Sequence, residues 1–244
     1  MRLAGQIALV AGGSRGIGRE VVLGLARAGA HVVFTYVSDQ AASQRLIEDC
    51  WDAGGRADAV RADIADRHAM RAAFEAVSSL AGKPPDIYIA AAFPKSIFMP
   101  TALLSPADYD RMFDAVRGHY FALQCAAEVI RDDGRIIMFS SGAAHLPQAA
   151  SGAYAGAKAA LEKFALSLAR EVGERGIRVN VLSPGVTRTE GLVAPPAMVD
   201  LLVGQTPLGR LGESADVAAV AVALCLPDLG WVNGQVIQAN GGIL

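Results

Sequence analysis

The chain has 244 residues, of which 52% are hydrophobic and 19% charged, and its formal net charge is -2 with a pI near 6.1. This composition predicts a globular protein with a large core, and the scattered Lys and Arg residues argue against nucleic-acid binding. The odd, widely spaced cysteines, Cys50, Cys125 and Cys225, predict neither a disulfide framework nor a zinc site and favour a cytoplasmic location. No apolar run approaches the ~20 residues of a membrane span, and the first one is too short for a signal peptide.

Short β-branched runs alternate with longer segments of helical period, which is typical of βαβ units and a parallel sheet. Seven strands are predicted, at Ile7–Ala11, His31–Tyr36, Ala57–Arg61, Ile87–Ala91, Arg135–Phe139, Arg178–Leu182 and Gln235–Gln238. Six helices are predicted between them, at Gly16–Ala28, Ala41–Ala53, Arg67–Leu80, Pro106–Ile130, Gly152–Arg175 and Ser214–Leu224. No repeat or linker divides the chain, so we expect residues 1–244 to form one doubly wound α/β domain of Rossmann type with a seven-stranded parallel sheet.

A long stretch between the sixth strand and the last helix interrupts this alternation. It runs from Ser183 to Thr206 and is rich in Pro and Gly. Loops of that length in compact domains are usually functional, and active-site lids are a frequent case. The sequence therefore predicts a substrate lid at about residues 185–206.

The first strand is followed by a glycine-rich turn that opens a helix. Its sequence is Ala11-Gly12-Gly13-Ser14-Arg15-Gly16-Ile17-Gly18. Small residues at this place let the turn close tightly and let backbone N–H groups approach a pyrophosphate. A glycine-rich turn without a ligand is the alternative. We expect a dinucleotide to bind here, with contacts from Gly12, Ser14, Arg15, Gly16, Ile17 and Gly18.

The residue at the end of the second strand indicates which dinucleotide binds. NAD sites usually place an acidic side chain there to hold the ribose 2′-OH, but this chain has Tyr36. Because Arg15 in the glycine turn can face a 2′-phosphate, we expect NADPH to be preferred over NADH. Arg15 as a solvated surface charge is the alternative, and Asp63 after the third strand is either an adenine contact or a turn residue.

A tyrosine and a lysine stand four residues apart at the start of a predicted helix. Tyr154 and Lys158 therefore share one helix face, and Ser141 follows the fifth strand, thirteen residues before the tyrosine. Tyrosine, with a usual pKa near 10, is a poor acid or base at neutral pH unless a neighbouring cation stabilises the phenolate. The three residues predict a site of proton transfer, although a Tyr–Lys pair alone is common on helix surfaces.

Further motifs make the whole chain, from Gln6 to Gly242, resemble one family. Besides the glycine turn and the Ser–Tyr–Lys set, the matching segments are Arg178-Val179-Asn180-Val181, Pro184-Gly185-Val186-Thr187-Arg188-Thr189, Thr206-Pro207-Leu208-Gly209-Arg210-Leu211-Gly212, Asn233-Gly234-Gln235-Val236-Ile237 and Gly241-Gly242. In these motifs the chain resembles the short-chain dehydrogenase/reductase family, and within it the 3-oxoacyl-(acyl carrier protein) reductases and related ketoreductases.

The resemblance implies a role for each matching residue. Tyr154 would protonate a carbonyl oxygen, Ser141 would polarise that carbonyl, and Lys158 would bind the nicotinamide ribose. It implies an NADP(H)-dependent oxidoreductase of a ketone or β-ketoacyl-type substrate, apolar or carrier-bound, and a homodimer or homotetramer formed through the helices at 106–130 and 152–175. Further cofactor contacts are expected from Tyr36, Asp63, Ile64, Ala91, Tyr154, Lys158, Pro184, Gly185, Val186 and Thr189.

Three places depart from the family's pattern. Ala11 replaces a threonine whose hydroxyl makes a hydrogen bond, and Ala90-Ala91-Ala92-Phe93 replaces Asn-Asn-Ala-Gly after the fourth strand. Val116 replaces an asparagine whose kinked helix holds a water beside the lysine. If that relay limits turnover, Val116→Asn should speed reduction. Structural drift, in which apolar residues pack where amides were hydrogen-bonded, is the alternative.

Apolar residues are expected to line the substrate pocket, because ligands bind at the carboxyl edge of such sheets. They are Phe93, Ile97, Phe98 and Met99 after the fourth strand, with Leu192, Val193 and Met198 from the lid. For some of them, packing beneath the lid is the alternative. The four histidines show no metal-ligand spacing, so no metal site is predicted, and His145 is a candidate for substrate contact.

Two other functions compete with ketone reduction. An enoyl-thioester reductase would fit the altered Ala90–Phe93 segment, but the spacing of Ser141, Tyr154 and Lys158 speaks against it. The other is a catalytically weak NADP-binding sensor or accessory protein, which has no need of all three residues together.

Overall fold

The computed structural model describes residues 1–192 and 195–243. Within these residues the strands are β1 Ile7–Ala11, β2 His31–Tyr36, β3 Arg56–Arg61, β4 Ile87–Ala90, β5 Arg135–Phe139, β6 Arg178–Pro184, β7 Thr187–Arg188, β8 Gly212–Glu213 and β9 Val236–Ala239. The helices are α1 Gly16–Arg27, α2 Gln40–Asp52, α3 Arg67–Ala81, α4 Pro106–Val129, α5 Gly152–Glu171, α6 Pro196–Gln205 and α7 Ser214–Cys225. None of these described helices has both the length and the apolar character needed to cross a membrane.

Seven strands form one parallel sheet in the order β3-β2-β1-β4-β5-β6-β9. Each of the predicted strands is present with its ends within two residues of the prediction, so the doubly wound α/β fold is confirmed. The chain runs from β1 to β2 and β3 on one side and returns to β4 on the other. The carboxyl ends of β1 and β4 therefore flank a crevice, where sheets of this kind bind their ligands.

Helices cover both faces of the sheet, because successive strand residues point to opposite sides. One apolar layer joins Leu9, Tyr88 and Met138 to α3, α4 and α5. The other joins Val10 and Phe34 to α1, α2 and α7. Each fully buried Leu, Ile or Phe contributes about 1.5–3 kcal/mol. The sheet is thus a rigid base for the loops that follow its strands.

Local caps set the ends of the helices. Asp66 caps α3 by accepting hydrogen bonds from two backbone N–H groups of the first turn, at 2.9 and 3.1 Å. Ser105 caps α4 by accepting one from Asp108 at 3.1 Å. Gly82 after α3 has a φ of 79°, the left-handed conformation that closes many helices and that glycine adopts without strain. Both helices therefore begin at the predicted residues.

The predicted elements are wrong in two regions. No strand or helix was predicted within the stretch expected to form a lid, but it contains the strand β7, which pairs with β8, and the helix α6. Pro196 occupies the first helical position of α6, where its missing N–H is tolerated. The helix buries none of its residues, and its sequence has no apolar stripe that would have predicted it. The helix predicted at Gly152–Arg175 ends at Glu171 and is followed by a 3-10 turn. Residues 193 and 194 of the expected lid lie outside the described residues.

The three cysteines are buried and free, with Cys50 in α2, Cys125 in α4 and Cys225 in α7. Burial raises the pKa of the Cys50 thiol to about 11 and that of Cys225 to about 12. These thiols are therefore protonated at neutral pH, and buried protonated thiols are inert.

Candidate active site

The glycine turn after β1 closes tightly because side chains have no room there. A Cβ on Gly12 would lie 2.6 Å from the Cα of Ala92, and one on Gly18 would collide with the carbonyl oxygen of Gly12. Gly12 and Gly16 also have positive φ values of 79° and 53°. The turn places its backbone N–H groups and the start of α1 beside β4, which is the geometry of a phosphate cradle.

A threonine on the neighbouring strand holds the backbone at the start of the glycine turn. Thr35 in β2 is buried, and its Oγ1 accepts a hydrogen bond from the backbone N–H of Gly12 at 3.0 Å. Its carbonyl oxygen accepts one from Gly13, also at 3.0 Å. Thr35 was missed by sequence reasoning, and the available signal was a single threonine in an otherwise apolar strand, next to Tyr36.

A cleft of about 650 Å³ runs from the glycine turn along α2 and carries charges of both signs. Arg15 and Arg45 are exposed in it, and neither forms an ion pair with another described residue. Arg19, by contrast, is bonded to Glu20 and Asp49. Arg45 was missed by sequence reasoning because α2 brings it to Arg15 from far along the chain. The cleft thus holds two arginines that an anionic ligand can pair with.

The other residues predicted to contact the adenosine end of the cofactor differ in how the structure places them, and none of them lines this cleft. Tyr36 ends β2 and is half-buried. Asp63 forms a turn in which its Oδ1 accepts a hydrogen bond from Ala65 at 2.9 Å, as the turn alternative expects. The side chain of Ile64 is buried in the core. A Cβ on Gly118 of α4 would collide with the carbonyl oxygen of Ile64, so α4 fixes this loop.

The segment after β6 meets the glycine turn from the opposite side. Pro184 ends β6, and the backbone N–H of Gly185 donates to β9 at 3.1 Å. The carbonyl oxygen of Val186 accepts a hydrogen bond from β8 at 3.0 Å. The methyl group of Thr189 lies 3.6 Å from the place where Gly16 would carry a Cβ. The predicted contacts on the two segments therefore share one edge of the sheet.

The three residues predicted to be catalytic lie just after β5 and in the first turns of α5. Ser141 follows β5 and caps a 3-10 turn, its Oγ accepting a hydrogen bond from Ala143 at 3.3 Å. Tyr154 lies in the first turn of α5, and Lys158 lies one turn later. The Lys158 Nζ donates to the carbonyl oxygen of Phe139, the last residue of β5, at 3.2 Å. This hydrogen bond ties α5 to the strand end that carries Ser141.

Lys158 is buried, with 5% of its surface exposed. Its Nζ lies 6.0 Å from the centroid of the Tyr154 ring. Burial lowers the pKa of Lys158 to about 7, because an ammonium group loses its hydration there. A lysine that titrates near neutral pH at the end of a ligand crevice is typical of a functional site.

The backbone after β4 is held by a histidine that sequence reasoning missed. His119 on α4 is 1% exposed, and its Nε2 lies 2.5 Å from the carbonyl oxygen of Ala92. Since a carbonyl oxygen only accepts, Nε2 carries the proton, and Nδ1 keeps a buried lone pair with no partner among the described residues. Burial lowers the pKa of His119 to about 4, and the charge of Lys158 contributes. The available signal was its position three residues after Val116 on one helix face.

His145, the candidate for substrate contact, is bonded within the protein. Its Nε2 lies 2.9 Å from an Oε1 of Glu162, and the hydroxyl of Ser140 donates to the same oxygen at 2.5 Å. Glu162 lies on α5, one turn after Lys158, and its side chain is buried. The pair ties the loop after Ser141 to α5, so a substrate would have to compete with Glu162 for His145.

Two of the predicted pocket residues pack against Tyr154. The ring centroids of Phe93 and Phe98 lie 5.9 and 5.2 Å from that of Tyr154. Phe98 is 55% exposed, whereas Phe93 is half-buried. Two residues of the predicted apolar pocket therefore stand beside Tyr154. Val193, predicted to line the same pocket from the lid, lies outside the described residues.

The described residues fit a nicotinamide dinucleotide along the crevice. The glycine turn has no room for side chains at Gly12 and Gly18 and leads directly into the N-terminus of α1, which is where a pyrophosphate binds in such folds. Arg15 and Arg45 offer cations at one end, and Tyr154 and Lys158 offer exchangeable protons at the other. A parallel sheet with a phosphate cradle and a Ser–Tyr–Lys set across one crevice defines an oxidoreductase that uses a nicotinamide cofactor.

Comparison with known proteins gives the family. A family model described as enoyl-(acyl carrier protein) reductase matches residues 11–244. An uncharacterized oxidoreductase of Methylorubrum extorquens is 37% identical over 253 residues and is matched over 99% of each chain. The solved short-chain dehydrogenase of Burkholderia cenocepacia in complex with NADP is 34% identical, with a TM-score of 0.94 over 100% of this chain and 99% of that one. LugOII, a promiscuous reductase that catalyses keto-reduction at C1 during lugdunomycin biosynthesis, is 32% identical, with a TM-score of 0.93 over the same shares. The chain therefore belongs to the short-chain dehydrogenase/reductase family, which confirms the resemblance of its motifs.

Proposed function

We propose that this oxidoreductase uses NADPH to reduce a ketone to a secondary alcohol. The observation that carries the proposal is the placement of Lys158, bonded to the end of β5 and 6.0 Å from the ring of Tyr154. This arrangement puts a buried cation next to a tyrosine at the carboxyl edge of the sheet. The keto-reduction catalysed by LugOII, a structural neighbour over the full chain, supports the same reaction.

NADP(H) is the cofactor that the crevice favours. The Burkholderia relative holds NADP, and this chain has two arginines, Arg15 and Arg45, beside the cradle. A 2′-phosphate would pair with them by charge-assisted hydrogen bonds. Tyr36 adds no negative charge at the end of β2, so it does not repel that phosphate. When bound, NADPH supplies the hydride.

Tyr154 and Ser141 then act on the carbonyl oxygen of the substrate, and Lys158 acts on Tyr154. Tyr154 donates its phenolic proton to that oxygen, as a general acid worth about 10²–10⁴-fold in rate. Ser141 donates a hydrogen bond to the same oxygen and polarises the carbonyl. The ammonium of Lys158 stabilises the phenolate that remains on Tyr154. The substrate side of the site is apolar, because Phe93 and Phe98 flank the tyrosine, which favours an apolar or carrier-bound carbonyl compound.

Reduction of an enoyl-thioester is the second candidate. The description of the matching family model names that reaction, and the Ala90–Phe93 segment departs from the ketoreductase pattern. A double bond conjugated to a thioester accepts hydride at carbon, so the proton from Tyr154 would then end on the enolate. The one-turn spacing of Tyr154 and Lys158 favours ketone reduction over this reaction.

The test is NADPH consumption against ketones, β-ketothioesters and enoyl-thioesters, with the unmutated protein and Tyr154→Phe. We expect turnover with ketones or β-ketothioesters, and Tyr154→Phe should lose about 10²–10⁴-fold in rate while NADPH affinity is unchanged. Turnover with enoyl-thioesters alone would select the second candidate. NADPH binding without turnover on any class would leave a sensor or accessory protein.

We also propose that the protein is a homodimer or homotetramer formed through α4 and α5. Tyr120 on α4 is 51% exposed, and its ring meets that of Phe164 on α5 edge-on at 5.0 Å. Phe164 is half-buried, so Tyr120 is the exposed ring of the pair, and exposed aromatic rings of this kind are typical of a surface that becomes buried on association. Light scattering of the purified protein and of Tyr120→Lys tests it, and a monomeric unmutated protein would contradict the proposal.

A further inference from the structure

We propose that Phe93 is a positioning residue that holds the ammonium of Lys158 by a cation–π contact. Phe93 stands at the end of the Ala90–Phe93 segment, where the family pattern has glycine and therefore no ring. Its kinetic consequence rests on the proposed function, whereas the contact itself concerns the cofactor-free protein.

The geometry of the contact is direct. The Lys158 Nζ lies 3.9 Å from the centroid of the Phe93 ring, well inside the ~6 Å over which a ring face attracts a cation. An ammonium group has three donors, and the carbonyl oxygen of Phe139 accepts one of them at 3.2 Å. The negative face of the Phe93 ring meets the ammonium on another side.

None of the described charged or titratable groups around Lys158 stabilises its ammonium charge in place of the Phe93 ring. On α5, the side chain of Tyr154 is uncharged in its acid form, and Glu162 is bonded to Ser140 and His145 instead. On α4, His119 is neutral near pH 7, since burial lowers its pKa to about 4. β5 offers only the carbonyl oxygen of Phe139, and no described carboxylate lies within ion-pair distance of Lys158. No anion among the described residues therefore offsets the lost hydration.

The ring is itself held in place. It meets Tyr154 edge-on, at an interplanar angle of 72°. The carbonyl oxygen of the preceding residue, Ala92, accepts the hydrogen bond from His119 at 2.5 Å. In place of the two amides and the glycine of the family pattern, this chain therefore has a histidine that fixes the backbone and a ring that faces the lysine.

Lysine NMR measures the contact without cofactor or substrate. The chain has four lysines, Lys83, Lys95, Lys158 and Lys163, so lysine labelled at Cε gives a simple spectrum in which Lys158→Arg identifies the signal. We expect Phe93→Leu to lower the titration midpoint of Lys158 by about one pH unit, because the ring favours the charged form. Phe93→Tyr keeps an aromatic face and is expected to keep the midpoint.

Phe98→Leu is the matched control, since the Phe98 ring also packs on Tyr154 but lies five residues further along the chain than Phe93. It is expected to leave the Lys158 midpoint unchanged. Phe93→Met is a second variant without a ring, for the case that Phe93→Leu does not fold. A midpoint that stays or rises in the ring-free variants overturns the proposal, because a rise would mean that the ring only excludes water.

The kinetic arm separates this proposal from the proposed function. If the protein reduces a carbonyl, the basic limb of its pH–rate profile should move to lower pH by the same amount in Phe93→Leu and return in Phe93→Tyr. If no carbonyl is reduced, the proposed function fails while the NMR titration still decides whether Phe93 holds Lys158. A lowered midpoint with no shift of the basic limb would overturn the positioning role in catalysis.

Discussion

Replacing Lys158 with methionine is expected to stabilise the cofactor-free protein while it removes a group that we propose to be catalytic. Burial lowers the pKa of Lys158 from 10.5 to about 7. Between these values the unfolded chain holds a proton that the folded chain has released, so the stability of the unmutated protein rises with pH across this window. The buried Lys158 therefore destabilises the folded protein by its full amount below pH 7, and this destabilisation is lost as the pH approaches 10.5. Methionine fills the site without a charge and removes this dependence.

The magnitude follows from the pKa. Each pH unit inside the window corresponds to about 1.4 kcal/mol. The difference in free energy of unfolding between Lys158→Met and the unmutated protein should therefore shrink by about 2 kcal/mol from about pH 7.5 to pH 9. Urea unfolding at each pH, followed by circular dichroism at one protein concentration, measures this difference.

Lys163 provides the matched control because it is exposed on the same helix. Water already solvates its ammonium group, so the free energy of unfolding of Lys163→Met is expected to change with pH in parallel with that of the unmutated protein. Parallel curves for Lys158→Met as well would refute the reasoning, since they would mean that the buried amine keeps its proton in both states.

Three further changes test the cofactor end and the relay. Thr35→Val leaves the backbone N–H of Gly12 unpaired and is expected to lower the free energy of unfolding by about 1–3 kcal/mol and to weaken NADPH binding. Thr35→Ser keeps the hydroxyl and should restore both. If calorimetry shows unchanged NADPH affinity and unchanged stability in Thr35→Val, the hydroxyl is dispensable. Tyr36→Asp places a carboxylate near the 2′-phosphate and should shift the ratio of dissociation constants towards NADH, an argument that fails if the unmutated protein already prefers NADH. Val116→Asn buries an amide in an apolar cluster and should lower the free energy of unfolding by about 1–3 kcal/mol. The relay hypothesis requires that variant also to change the rate or its solvent isotope effect, and an unchanged profile would make the valine neutral drift.

The regular elements could be predicted from the sequence because each has a strong local signal. The run Ile136-Ile137-Met138-Phe139 predicts a strand buried on both faces, and β5 covers it. The helix α6 has no such signal, since it buries none of its residues and its apolar side chains follow no face. Local periodicity therefore finds elements that pack on the sheet and misses one that lies on the surface.

The polar partners of the site could not be predicted because they come from distant parts of the chain. The sequence shows that Ala11 lacks the hydroxyl of the family pattern, but not that Thr35 on the neighbouring strand holds the backbone of Gly12. It shows the altered segment after β4, but not that His119 reaches the carbonyl oxygen of Ala92 from α4. Such contacts depend on the register between elements, which a single sequence does not contain.

The rates at which the three buried thiols are modified can report local opening of the helices that carry them. A thiol reagent can modify Cys50, Cys125 or Cys225 only after the helix around it has moved away from the core. Because α2 and α7 cover one face of the sheet and α4 covers the other, the three modification rates give separate opening free energies for the two layers. Cys125 is the informative one for the site, since α4 also carries His119 and Gly118, and slower modification with NADPH present would measure how far the cofactor rigidifies that helix.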